Sequence, residues 1–228
     1  MYFRDVQILN SGKYSGEKLR QNRYLMAYWD NIRDLFCLHL LRHIELAGTS
    51  KLNIKFGEFE GEPFLEPDNR GFTTFRRNDF LFNDFFNLPE EEKDIVSLGY
   101  IENSVMSICE RFNVPSGTQK QFQDVAKKVQ ASGFEYSRVH KKTSKWHKSK
   151  KVRAITRLHF KKGGVDAYLG FLDKIGNVIS SHKIIDSRIW EAVWFDLWQG
   201  VWIEETFVIE GRSGEVFFKI ACPIKDAI

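Results

Sequence analysis

Cysteine and proline are scarce in this chain, and long apolar runs and established catalytic motifs are missing altogether. With 3 cysteines and 5 prolines in 228 residues, it is neither a disulfide scaffold nor a proline-rich disordered segment. Cys37, Cys109 and Cys222 are odd in number, far apart and set in apolar surroundings such as Leu35-Phe36-Cys37-Leu38. They read as buried small hydrophobes of a protein kept in a reducing compartment. No stretch approaches the ~18 consecutive apolar residues of a membrane span, and Met1-Tyr2-Phe3-Arg4-Asp5 does not begin a signal peptide. The expectation is a soluble cytoplasmic protein.

The motif absences are equally restrictive. There is no GxxxxGK[ST] loop, no GxGxxG after a strand, no CxxC pair and no GxSxG elbow. His39 and His43 are four apart, but Leu40-Leu41-Arg42 between them supplies no general-base glutamate, so a zinc-protease helix is excluded. These two read as packed or edge histidines. No cofactor and no metal are expected.

What the chain does have is 43% hydrophobic residues, enough for a core without a metal or disulfide, and a very uneven charge. From Arg138 to Lys162 there are eleven Lys or Arg and no Asp or Glu, which leaves −7 for the remainder of a chain of net charge +4. The strip is centred on Arg138, Lys141, Lys142, Lys145, Trp146, Lys148, Lys150, Arg153 and Arg157. An aromatic set among cations suits either phosphates and stacked bases or an acidic protein surface. The acidic counterpart is Glu58, Glu60, Glu62, Glu66 and Asp68, a secondary candidate binding loop. The two runs could equally be solvated loops, or neutralise each other within the fold.

Periodicity divides the chain near Gly133. Before it, apolar spacing predicts helices over 23–47 (Leu25, Trp29, Ile32, Phe36, Leu40 and Ile44, widened by Leu41), 87–112 and 116–131, with short strands near 4–9 and 52–56. Phe72–Phe86 holds six of the twenty phenylalanines, a density expected of core packing. After it, alternation predicts strands at 134–141 and 151–160, hairpins 165–172/178–185 and 201–210/215–222, and a short helix carrying Ile189, Trp190, Val193, Trp194, Leu197 and Trp198. The fold class is α+β: a single domain whose helical N-terminal half packs against a C-terminal antiparallel β-sheet of five or six strands.

Chemistry is harder to assign. His140, His147 and His159 lie in the basic strip, where two imidazoles and a lysine could support ribonuclease-type proton transfer. Glu204, Glu205, Glu210 and Asp166 could hold Mg²⁺, but at no diagnostic spacing. Neither arrangement is specific, so no catalytic residue is assigned. The first reading is a non-catalytic protein-binding module, of which bacterial immunity proteins that neutralise a cognate toxin by direct binding are the pattern. Richness in Phe, Lys, Ile and Asn with little Ala fits an accessory bacterial gene. The alternative is a nucleic-acid-binding protein or nuclease using the strip 138–162.

Overall fold

The computed structural model describes residues 2–12, 14–40, 43–188 and 190–223. It divides into two compact units, one through Glu135 and the other from Tyr136.

The first unit is built from β1 (Asp5–Asn10), α1 (Gly16–His39), β2 (Lys51–Phe56), β3 (Phe64–Leu65), β4 (Phe72–Arg77), α2 (Phe82–Asn87), α3 (Glu90–Arg111) and α4 (Ser116–Ala131). Its sheet has the order β1-β2-β4-β3, with β1, β2 and β4 parallel and β3 antiparallel at the edge. The half is mainly helical as expected, but its short strands join into a parallel sheet that the periodicity does not reveal. Parallel pairing joins segments distant in sequence, and no short-range turn signal announces it. The apolar stripe of α1 buries Leu25, Trp29, Ile32 and Phe36, but the helix ends at His39 because Leu40 turns to extended backbone. Ile44 stays buried outside the helix, its carbonyl accepting from the Phe3 N–H at 2.8 Å. Pro89 is the residue that caps the start of α3, and its carbonyl accepts the Lys93 N–H at 3.1 Å. The phenylalanine-rich segment is core only in part: of its six rings Phe85 is buried and the other five are half-buried, with Trp29 4.8 Å from Phe80, 5.1 Å from Phe56 and 6.2 Å from Phe85, ring centre to ring centre.

The second unit holds β5 (Glu135–Val139), a 3-10 turn (Lys141–Thr143), β6 (Lys145–Trp146), β7 (Arg153–Lys161), β8 (Gly164–Leu172), β9 (Val178–Ser187), α5 (Trp190–Asp196), β10 (Gln199–Ile203), β11 (Thr206–Glu210) and β12 (Val216–Ala221). These eight strands exceed the expected five or six and form two sheets. One has the order β5-β7-β8-β9 with β6 also on β7; the other is β10-β11-β12. The segment 201–210 is two strands because Glu204 adopts a left-handed turn conformation, φ +51°. Ile189 and Leu41, which the periodicity places in helices, lie outside the described residues, as does the Trp190 side chain.

Alternation along β7 gives its sheet two unlike faces. Val152, Ala154, Thr156, Leu158 and Phe160 are buried on one, where Phe171 of β8 meets Trp202 and Phe207 of the second sheet. Arg153, Ile155, Arg157 and His159 occupy the other. At the β7–β8 turn Gly164 has φ +133°, and a Cβ there would lie 2.0 Å from the Ser187 carbonyl oxygen, so only glycine fits.

Candidate functional site

The same alternation divides the basic strip. Arg138 on β5 lies on the side of Phe160, a core-facing residue of β7, while Trp146, paired across strands with Arg153, lies on the open face with Arg157. Lys141, Lys145, Lys148, Lys150 and Lys151 are exposed along the connecting turns. The eight candidate cations, close in sequence, therefore do not form one patch.

The core-side edge carries the densest constellation of the second unit. The α5 segment is too short and too aromatic to bury all its rings. Val193 and Leu197 are buried, whereas Trp194, Phe195 and Trp198 are 38%, 55% and 39% exposed. Cations cover them. The Arg138 guanidinium lies 5.3 Å from the ring centres of both Phe160 and Trp194, and the Lys142 ammonium is 3.8 Å from that of Trp198. Arg212, from the β11–β12 turn, sits 5.6 Å from both Phe195 and Trp198. Its backbone N–H donates to the Phe195 carbonyl at 2.7 Å, which fastens that turn to α5. Burial pulls the Arg138 guanidinium below its ordinary pKa, yet it stays cationic. Each such contact is worth about 0.5–1 kcal/mol at a partly exposed site and holds the long side chain in one place.

Arg212, Trp194, Phe195 and Trp198 are the residues that reading the strip alone misses. The available signal was the excess of aromatics over buried positions in a short helix.

The histidines have structural partners. His140 is buried, shares a 2.8 Å hydrogen bond with Thr143 Oγ1, and packs edge-on against Trp194. Burial first, then the neighbouring Arg138 and Lys142 charges, push its pKa down to about 4, so it is neutral near pH 7. His147 is buried between Ser149 Oγ and the Glu204 carbonyl, at 2.9 and 3.1 Å. His159 meets Ser137 Oγ at 2.8 Å on the opposite face of the sheet from the Phe160 core. His39 is likewise lowered by burial and by Lys128, and His43 packs against Tyr2.

Among the carboxylates, Asp166 is buried between Lys161 and Lys183, at 2.7 and 3.0 Å. Burial alone would raise its pKa, but hydrogen bonds from the two lysines outweigh it and the carboxyl is lowered. Among the described residues no group of three or more His, Cys, Asp or Glu is placed to hold a metal ion.

The acidic segment forms the β2–β4 crossover of the first unit. Glu58, Glu60, Glu62 and Glu66 are exposed, whereas Asp68 is a turn residue. Its Oδ1 accepts the Arg70 and Phe72 N–H groups, both at 2.9 Å, and its Oδ2 takes the Arg70 guanidinium. Glu58 also borders a cleft of about 770 Å³ at the carboxyl ends of β1, β2 and β4, with Asn10, Tyr14, Asn78 and Phe80 in its walls. That is where open parallel sheets place ligands, and its position became visible only with the parallel topology. No described helix is long and apolar enough to cross a membrane. No protein-family model, curated protein or solved structure matches the chain.

Proposed function

We propose that this chain is a non-catalytic, cytoplasmic binding protein that docks an acidic protein surface on the Arg138–Lys142–Trp194–Phe195–Trp198–Arg212 edge, in the manner of a bacterial immunity protein neutralising a toxin by direct contact. The observation that carries this reading is the cluster of half-exposed aromatic rings already held by cations. Trp and Arg are the residue types that dominate binding energy at protein interfaces, and pre-ordered side chains lose less entropy on docking. The same geometry disfavours the nucleic-acid reading. Bases stack on free ring faces, but Lys142 and Arg212 already approach Trp198, so a base would have to displace them.

The test compares wild type with Arg138→Gln/Lys142→Gln/Arg212→Gln and with Trp198→Ala, each tagged and returned to the cell that encodes the protein. Wild type is expected to retain one stoichiometric acidic protein, with Trp198→Ala weakening it by about 30-fold or more, as for an interface hot spot. Full retention by both variants would refute this docking edge. A parallel titration with a 20-mer oligonucleotide at ~50 and ~200 mM salt is expected to show no binding that falls by orders of magnitude between the two. A steep salt-dependent affinity, lost in the triple variant, would move the function to nucleic acid.

A further inference from the structure

The open face of the β5-β7-β8-β9 sheet holds a second site, independent of the docking edge. Strand β9 departs from regular pairing twice: its partners on β8 skip Ile184 between Ala167 and Tyr168, and Ile179 between Phe171 and Leu172. Such bulges bend a strand and increase its twist. The resulting groove has a volume of about 540 Å³, with Ile155, Gly170, Leu172 and Val178 as its apolar part and Arg157 and Tyr168 as polar walls. Gly170 keeps the floor open. Its backbone is not in the left-handed region, and a Cβ there would meet only the Ser180 and Ile155 carbonyl oxygens, at 3.7 and 3.9 Å. A larger side chain is therefore allowed by the backbone and would fill the groove.

The charges on this face are of two kinds. Lys161, Asp166, Lys183 and Asp186 form a closed network, with contacts of 2.7–3.0 Å, in which two lysines balance two carboxylates. Arg153 and Arg157 stand outside it. They flank Ile155 two residues to either side on one face of β7, their backbones about 13 Å apart by strand geometry. Among the described residues, neither has an acidic group within 4 Å. Arg153 Nε is buried without a hydrogen-bond partner, its guanidinium over Trp146 at 5.7 Å. Two unneutralised guanidinium groups beside a confined apolar floor fit one ligand chemistry, since Arg pairs with carboxylate or sulfonate oxygens through its planar fork.

We propose that this groove binds a small organic anion with an apolar body, its acidic head on Arg157 in the groove wall, its body on Ile155, Gly170 and Leu172, and Arg153 adding positive charge at the far side of Ile155. The probe is 8-anilinonaphthalene-1-sulfonate, with N-phenyl-1-naphthylamine as its uncharged counterpart, followed by fluorescence titration of the full chain. Wild type is expected to bind the sulfonate at one site, at least tenfold more tightly than the neutral compound. Arg157→Gln should weaken the sulfonate at least tenfold and leave the neutral probe unchanged. Gly170→Leu should weaken both, and Trp198→Ala, on the other edge, should change neither. No binding by wild type would overturn the proposal. So would equal affinity for both probes, or wild-type affinity in Arg157→Gln. Displacement of the sulfonate by hexaglutamate at similar concentration would also overturn it, by making this face a protein-docking surface. Arg157 is exposed, so its variant remains decisive even if Gly170→Leu fails to fold, which thermal unfolding would show. Loss confined to Trp198→Ala would place the probe on the docking edge and refute the groove without touching the proposed function.

Discussion

Acid should destabilise the second unit through one buried histidine, and the size of the effect follows from its environment. His140 has its pKa displaced from an ordinary 6.5 to about 4, by burial and then by Arg138 and Lys142. In the unfolded chain the ring titrates normally. Between pH 6.5 and pH 4 the unfolded state therefore holds a proton that the folded state does not, so stability rises with pH across that window. The contribution is fully present above about pH 7 and is lost as pH falls to 4. At 1.36 kcal/mol per pH unit this corresponds to at most about 3 kcal/mol for a residue that is 5% exposed. Five of the six tryptophans lie beyond residue 136, so tryptophan fluorescence during urea unfolding reports chiefly on this unit. The midpoint for wild type should decline steadily from pH 7 to pH 4.5. His140→Gln, which removes the titrating group, should show a shallower decline over the same range, whatever its cost at pH 7. Parallel pH profiles for the two proteins, or an NMR titration of the His140 ring with a midpoint near 6.5, would refute the reasoning.

Two further outcomes follow from the packing. Trp29→Ala should cost about 3–5 kcal/mol in the first unit, because the ring is fully buried among Phe56, Phe80, Phe85 and Tyr100; a loss below 1 kcal/mol in urea unfolding followed by far-UV circular dichroism would mean the phenylalanine cluster is not the core it is taken to be. Burial pushes the Cys37 thiol up to about 12 and that of Cys109 up to about 11, so neither should react with an aromatic disulfide reagent at pH 8 until the protein is denatured. Rapid modification of either in the native state would contradict that burial.

How much of this was legible beforehand depended on whether the signal was local. Helix α4 and the β8–β9 hairpin lie close to their expected bounds because their ends are written in adjacent residues. Pro115 precedes the first, Ser132-Gly133 follows it, and Asp173 takes the Ile175 and Asn177 N–H groups in the second turn. Helix α1 starts at Gly16, seven residues before its apolar stripe becomes readable, because its first turns are solvent-exposed and carry no apolar period. The parallel set β1-β2-β4 was hidden for a different reason. Phe72–Arg77 shows little alternation, and its partner strand ends sixteen residues earlier. The cleft at the ends of those strands was illegible with them.

The basic strip shows why a charge run is a poor map of a surface. Its eleven cations are continuous in sequence, but a strand sends neighbouring side chains to opposite faces. Arg138 goes to the edge shared with α5, Arg153 and Arg157 to the open sheet, and Lys161 into the Asp166 network. A surface that read phosphates would need most of these charges in one field, since counterion release scales with the number of phosphates neutralised. Here each face keeps only a few, and the edge richest in aromatics recruits its remaining cation, Arg212, from a hairpin turn fifty residues past the end of the strip. The grouping in space is thus set by ring and cation pairing, with α5 supplying the rings. Small sets of fixed cations around half-exposed aromatics suit recognition of a limited acidic surface better than of a polyanion. On the open face Arg157 stands at the wall of an apolar groove with no carboxylate within 4 Å among the described residues, which suits a smaller anion still.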